Sequence, residues 1–115
     1  MSIVFTPDQE NLAKQDREQL LEALRHILAD MAQAAYIFGS FASGNHAPLS
    51  DIDLIVIAHT TLPFHERPRQ FEQVYEVWPR IDLLVYTPEE FARQLRNADQ
   101  GGFWKSVKDS LVKIL

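Results

Sequence analysis

Alternating blocks of hydrophobic and polar residues divide the chain into helices and strands. A helix is predicted over about residues 8–31, because large apolar side chains recur three or four residues apart along it. The apolar stripe of this helix consists of Leu20, Leu21, Leu24, Ile27, Leu28 and Met31. Three strands are predicted where apolar residues run without helical spacing, and they read AAYIFG, DIDLIVIA and RIDLLVYT.

The remaining segments read as helices, with one short strand at the end. Pro68 is predicted to open a helix that ends before Pro79, and the run Thr87–Glu90 has the capping chemistry that begins another. Gly101 and Gly102 separate that helix from a last amphipathic segment, and LVKIL is predicted as a short edge strand. The order helix, strand, strand, helix, strand, helix predicts an α/β fold, with helices covering a sheet in a single domain over residues 1–115.

The second strand begins with two acids that share one side. Side chains alternate along a strand, so Asp51 and Asp53 lie on the same face, followed there by Ile55 and Ile57. Both faces are apolar further along, which predicts a central strand buried on both sides. Burying a charge without a partner costs roughly several kcal/mol. Two acids at this position therefore call for a compensating positive charge.

The third strand repeats this anomaly, because Asp82 also lies at the head of an apolar run. If the second and third strands are parallel neighbours, Asp51, Asp53 and Asp82 lie at one end of the sheet. Three carboxylates without histidine or cysteine suit Mg²⁺ or Mn²⁺, which prefer oxygen ligands. Such sites often take their other ligands from the phosphates of a nucleotide.

A small, turn-like segment precedes the acids. Gly39 and Ser40 end the first strand, where glycine allows the backbone to approach a phosphate and backbone N–H groups or hydroxyls can donate to it. If Ser40 starts a short helix, the positive end of the helix dipole adds to this effect. Each signal is weak alone, and their combination with the acids is much more specific.

Composition and charge exclude several classes of protein. The chain has 115 residues, no cysteine and a formal net charge of −5, with 46% hydrophobic residues. It therefore has neither disulfides nor thiolate metal sites, and it is not expected to bind nucleic acid through phosphate contacts. No apolar run is long enough to span a membrane, and the N-terminal residues do not read as a secretion signal. A cytoplasmic protein is the expectation.

Gly39-Ser40, a gap of ten residues, Asp51-Ile52-Asp53 and a later Asp82 resemble the minimal nucleotidyltransferase family of the DNA polymerase beta superfamily. The resemblance covers nearly the whole chain and implies a polymerase-beta-like fold with a small mixed sheet flanked by helices. It implies that the three aspartates are catalytic and hold Mg²⁺, as two ions, with Mn²⁺ possible. It also implies that nucleotide is bound by Gly39, Ser40, Ser43 and Ser50.

The same resemblance implies a reaction and a partner. Small members of the family often pair with a HEPN toxin, and some transfer AMP from ATP to tyrosines of that toxin. The chain is therefore expected to be an antitoxin that can form a hetero-oligomer with its toxin. Many relatives carry arginine in the turn where Ser43 stands here, so a basic group is expected from elsewhere, such as Arg80 or Lys105.

Two alternatives stay open beside this enzyme. A binding-only antitoxin would neutralise the toxin by covering it, and replacing Asp51 and Asp53 by alanine would leave that inhibition intact. A transferase for a small hydroxylated molecule would need another subunit to supply the acceptor pocket.

Overall fold

A mixed sheet of four strands is the centre of the described part of the chain. The structure is a computed structural model that describes residues 7–43 and 51–115, with the side chains from Arg17 onward except those of Ser40 and Ser43. The strands are β1 (Ala34–Phe38), β2 (Ile52–Ile57), β3 (Ile81–Tyr86) and β4 (Val112–Lys113). The α-helices are α1 (Pro7–Leu28), α2 (Gly39–Ser43), α3 (Val74–Val77), α4 (Pro88–Arg96) and α5 (Phe103–Ser110). Two 3₁₀ helices cover Phe64–Phe71 and Ala98–Gln100.

The strand order β3-β2-β1-β4 places β2 and β1 in the middle of the sheet. Strand β2 pairs antiparallel with β1 and parallel with β3, while β4 pairs antiparallel with the outer side of β1. The parallel pair requires a long crossover, and residues 58–80 supply it. The predicted fold class, the three predicted strands and the edge strand at LVKIL are thereby confirmed.

Strand β2 is buried on both faces, as its composition predicts. One face carries Ile52, Leu54 and Val56, which pack in a large core beneath α1. The other face carries Ile55 and Ile57, which pack in a smaller core with residues of α4 and α5. Full burial of such side chains contributes about 1.5–3 kcal/mol each, so the strand is held firmly between two layers of helix.

Helix α1 ends three residues earlier than its sequence pattern predicts. Leu21, Leu24 and Leu28 are buried against the sheet, whereas Met31 lies in the turn beyond the helix with 39% of its surface exposed. The N–H groups of Met31 and Ala32 both donate to the carbonyl of Leu28, which turns the chain out of the helix toward β1. The assignment of Met31 to the buried stripe was therefore wrong.

The prediction of a helix that opens at Pro68 was also wrong, both in where the helix starts and in its type. A 3₁₀ helix covers Phe64–Phe71 with Pro68 inside it, and α3 is a single turn further along. This segment is held by Arg67, whose Nε donates to the carbonyl of Leu62 at 2.9 Å and whose Nη1 donates to that of Val85 at 3.1 Å. Long-range contacts of this kind outweigh a local helix-start signal.

Helix α4 begins as predicted, with a complete capping box. The Thr87 side chain accepts from the N–H of Glu90, and the Glu90 side chain accepts from the N–H of Thr87. Helix α5 follows the two glycines, also as predicted, and buries Val107. Among the described residues, no helix combines the length and apolar character needed to cross a membrane.

Candidate active site

Asp53 and Asp82 lie directly beside each other on the parallel pair β2 and β3. The register pairs their Cα atoms, so both side chains project from the same face at the same end of the sheet. Asp53 is half-buried and Asp82 is exposed. Burial raises the pKa of Asp53, and the charge of Asp82, a hydrogen bond with that carboxyl group and the charge of Asp51 raise it further. Strand pairing thus forces two acids together despite their repulsion.

Asp51 lies just before β2, at the same end of the sheet, and is engaged by a cation. Its Oδ1 is 3.0 Å from Nε of Arg80, and the two side chains are 57% and 56% exposed. The N–H of Ile52 donates to the carbonyl of Arg80 at 2.8 Å, which keeps the starts of β2 and β3 together. An ion pair this exposed contributes only about 0–1 kcal/mol, so another cation can displace Arg80.

The two basic residues named as substitutes for an arginine at position 43 have different surroundings. Arg80 lies beside the acids, where it contacts Asp51. Lys105 is on α5 and pairs with Asp109 one turn further along the same helix, at 3.2 Å. Arg80 is therefore the better placed of the two to act on a ligand held by the acids.

Gly39 is in close contact with Asp53. Its φ of 75° lies in the left-handed region that favours glycine, and a Cβ at this position would be 2.7 Å from Oδ2 of Asp53. Any larger residue would strain the backbone and displace the carboxylate. The requirement for glycine at the end of β1 thus comes from both the turn and the acid.

Helix α2 is attached to the rest of the molecule at both ends. At its start, the N–H of Gly39 donates to Oγ of Ser110, the last residue of α5, at 2.9 Å. At its end, the guanidinium of Arg17 donates to the carbonyls of Phe41 and Ala42 at 3.3 and 3.4 Å. Sequence reasoning missed both Arg17 and Ser110, because no local pattern indicates which distant side chain reaches a backbone group.

The serines predicted to bind nucleotide are only partly within the described structure. The backbone of Ser40 and Ser43 belongs to α2, so a short helix does follow β1 at this point. Their side chains, and the whole of Ser50, lie outside the described part of the molecule. Binding of nucleotide by Gly39, Ser40, Ser43 and Ser50 stays a prediction.

The three aspartates are the kind of ligand that a divalent metal prefers, but their carboxylates are not gathered around one point. Among the side chains that the structure describes, no three of histidine, aspartate or glutamate are close enough together to hold one ion. Asp53 and Asp82 are paired, and Asp51 points to Arg80. A hard dication fits this donor set, because it would offset both the burial and the carboxylate repulsion that raise the pKa of Asp53. Recruitment of Asp51 would require its release from Arg80.

A cleft of about 580 Å³ opens at the opposite end of β2 and β3, and contains none of the predicted site residues. Its lining consists of His59, Thr60, Thr61, Leu62, Gln70, Thr87 and Glu89. Size alone does not make it the site, because the acids that repel one another, Asp53 and Asp82, are at the other end of the strands.

Comparison with known proteins agrees with the fold. A crystal structure of a protein from Sulfolobus solfataricus, proposed to be a nucleotidyltransferase, superimposes with a TM-score of 0.60 at 20% identity, covering 88% of this chain and 84% of that one. A crystal structure of a toxin–antitoxin with AMP-PNP superimposes with a TM-score of 0.55 at 20% identity, covering 83% of this chain and 72% of that one. None of the curated protein sequences matches the chain.

The family of the chain follows from a match over most of its sequence. Residues 18–109 match the model of the family described as "Polymerase beta, Nucleotidyltransferase". That segment contains Gly39, Asp51, Asp53 and Asp82. The chain therefore belongs to the polymerase beta nucleotidyltransferase family.

Proposed function

We propose that this chain is an antitoxin that transfers AMP from ATP to a tyrosine hydroxyl of a HEPN-type toxin. The observation that carries the proposal is the pair Asp53 and Asp82, side by side on parallel strands with the backbone of Gly39 against one of them. Membership of the family supports nucleotidyl transfer. The fold shared with a toxin–antitoxin structure that contains AMP-PNP supports the adenine nucleotide and the kind of partner.

Asp51, Asp53 and Asp82 would hold the metal, which we propose to be Mg²⁺ as two ions, with Mn²⁺ as a substitute. Divalent ions at such a site stabilise negative charge on the α-phosphate and on the departing pyrophosphate, and they lower the pKa of an attacking hydroxyl. Arg80, released from Asp51, would be close enough to the bound triphosphate to help neutralise it.

The other roles belong to the chain's own groups. Gly39 and Ser40, with the hydroxyls of Ser43 and Ser50, would hold the triphosphate. The acceptor oxygen would form a bond to the α-phosphorus while the bond from that phosphorus to the bridging oxygen of the β-phosphate breaks. Asp82, the more exposed member of the pair, would accept the proton of the acceptor hydroxyl. The products would be an adenylylated tyrosine and pyrophosphate.

The proposed setting is the cytoplasm, where ATP and Mg²⁺ are available. A net charge of −5 repels nucleic acid, so the acceptor is expected to be a protein, which can bind in a hetero-oligomer. A second candidate is an antitoxin that neutralises its toxin by binding alone. It is favoured by the ion pair of Asp51 with Arg80 and by serine at position 43, since both reduce the site's readiness for a metal–nucleotide complex.

The test is intact-mass spectrometry of the neighbouring gene's product, the expected toxin, after incubation with the chain, ATP and Mg²⁺. We expect the mass of the toxin to rise by one or more AMP units. The double variant Asp51→Asn/Asp53→Asn should abolish the gain, because it removes the charge of two metal ligands but keeps their shape. Asp109→Asn is the matched control, since Asp109 is an exposed acid that pairs with Lys105 on the same helix.

Each outcome separates the candidates. A mass gain that the double variant lacks and Asp109→Asn retains would establish the transferase. A stable complex with no gain from ATP, GTP, CTP or UTP would contradict it and support the binding-only antitoxin. In that case the double variant would neutralise the toxin as well as the wild-type chain does.

A further inference from the structure

Ser110 connects the end of α5 to the start of α2, across a sequence distance of 71 residues. Its Oγ accepts a hydrogen bond from the backbone N–H of Gly39 at 2.9 Å. This N–H belongs to the first residue of α2 and has no partner within that helix. The contact therefore fixes the backbone of Gly39 from outside its own element.

The hydroxyl of Ser110 is itself oriented. Its Oγ is 3.1 Å from the carbonyl of Ser106 and 3.5 Å from that of Val107, so its proton is donated back into α5. A serine hydroxyl has one donor and two acceptor positions, and donation to the helix leaves a lone pair directed at Gly39. The geometry makes Ser110 an acceptor at this contact.

Helix α5 gives the hydroxyl a rigid base. Val107, one turn before Ser110, is almost fully buried against the sheet. Phe103, at the first turn of the helix, makes an edge-to-face contact with Phe38 at a centroid distance of 5.9 Å. Since Phe38 is the residue just before Gly39, the helix holds both members of this dipeptide.

We propose that Ser110 is a positioning residue that acts on Asp53 through Gly39. The α-carbon of Gly39 lies so close to Asp53 that an added Cβ would be 2.7 Å from Oδ2, so the position of this backbone limits the rotation of the carboxylate. Ser110 holds that backbone in place, and Asp53 thereby stays beside Asp82 in the arrangement a metal requires. The inference rests on the proposed function. Ser110 itself lies one residue beyond the segment that matches the family.

The test compares Ser110→Ala, Ser110→Thr and Ser106→Ala with the wild-type chain. Ser110→Thr keeps a hydroxyl at the contact. Ser106→Ala removes an exposed hydroxyl one turn earlier on α5 but keeps the carbonyl that Ser110 uses. Four quantities are measured well below the unfolding temperature: Mn²⁺ affinity by electron paramagnetic resonance, kcat and KM for ATP in the transfer assay, and the hydrogen-exchange rate of the Gly39 amide.

We expect Ser110→Ala to weaken Mn²⁺ binding severalfold and to lower kcat about tenfold, with a smaller change in KM, because the ligand Asp53 loses its orientation. Exchange of the Gly39 amide should become faster. Ser110→Thr should restore all four quantities, and Ser106→Ala should leave them unchanged. A role in stability alone would lower the unfolding temperature without moving Mn²⁺ affinity or kcat of the folded chain.

Failure of this inference is distinct from failure of the proposed function. If Ser110→Ala binds Mn²⁺ and turns over like the wild type, the positioning role is overturned while the transferase stands. If the wild type binds Mn²⁺ but transfers no nucleotide, the proposed function fails, and weaker Mn²⁺ binding by Ser110→Ala still supports the inference. If the wild type binds no Mn²⁺, both are overturned.

Discussion

The two ends of the parallel strands β2 and β3 differ in how their charged side chains are paired. At one end, Asp53 is pressed against Asp82 and its pKa is raised by burial and by neighbouring carboxylates. At the other end, Arg67 makes a two-point ion pair with Glu90, with oxygen–nitrogen distances of 2.6 and 3.2 Å. Hydrogen bonds from Arg67 and from the backbone of Thr87 lower the pKa of Glu90 to about 2.

The difference separates a charge that stabilises the fold from one that we propose to be functional. Arg67 is only 7% exposed, yet its donors reach two backbone carbonyls as well as Glu90, and its guanidinium lies 5.8 Å from the centre of the Phe64 ring. Among the described residues, the charges that act on Asp53 both have the same sign as its own. A charge that is paired with an opposite charge stabilises the fold. A carboxylate surrounded by other carboxylates instead indicates a binding site for a positively charged ligand.

The largest effect is expected at the end of the strands that carries Asp53 and Asp82. Asp53→Asn should reduce nucleotide transfer about a thousandfold, because it removes a proposed metal ligand and the charge that would act on the transition state. The unfolding temperature at pH 7 should stay the same or rise, since a repulsive charge is lost. A large drop in unfolding temperature together with the loss of activity would contradict the idea that the charge of Asp53 destabilises the fold.

At the end that carries Arg67 and Glu90, a substitution should reduce stability and leave activity nearly unchanged. Arg67→Met should lower the free energy of unfolding by about 3 kcal/mol, because it breaks a largely buried ion pair and leaves the carbonyls of Leu62 and Val85 without their donor. Transfer per folded molecule should be nearly unchanged. Urea unfolding followed by circular dichroism measures the loss. Arg69→Met, on the exposed side of the same 3₁₀ helix, is the control and should change stability little.

The pKa of Glu90 predicts how acid affects this end. A carboxyl group whose pKa falls from 4.5 to about 2 on folding stabilises the protein above pH 4.5, and this contribution is lost as the pH falls toward 2. Glu90→Gln should remove that part of the pH dependence, so the stabilities of the variant and the wild type should converge in acid. Unfolding curves between pH 7 and pH 2.5 test this. Parallel curves for the two proteins would show that Glu90 is not the responsible group.

The smallest effect is expected at the Asp51–Arg80 ion pair, where one acid of the candidate site already has a counter-ion. Arg80→Gln should strengthen Mn²⁺ binding in the absence of nucleotide by up to about fivefold, because an exposed ion pair worth about 0–1 kcal/mol no longer competes for Asp51. Calorimetric titration with Mn²⁺ measures the change, and Arg93→Gln on α4 is the control. If Arg80 also helps to hold the triphosphate, the same variant should bind ATP more weakly.

Local chemistry made the framework of the fold predictable from sequence. The apolar run after Asp53 indicates a central strand, and the residues Thr87–Glu90 indicate a helix start, since both signals act over a few residues. The segment around Pro68 was not predictable in this way. Its 3₁₀ helix begins at Phe64 and is held by the contacts of Arg67 with Val85 and Glu90, which lie 18 and 23 residues further along the chain.

The candidate site shows the same limit. The positions of Asp51, Asp53 and Asp82 at one end of the sheet follow from strand alternation and parallel pairing, and both can be argued from sequence. The contact of Gly39 with Ser110 depends on how α5 packs across the sheet, which no spacing rule specifies. The acids of the site were thus visible in the sequence, while the groups that hold them in place were not.

The bond from Arg67 to the carbonyl of Val85 has a consequence for how copies of the protein behave in solution. Strand β3 is at the edge of the sheet, and the backbone groups of an edge strand can pair with a strand of another molecule. A buried arginine that occupies one of these carbonyls makes that part of the edge unavailable for intermolecular pairing. Loss of Arg67 would therefore promote aggregation as well as unfolding, because the exposed edge could recruit further chains.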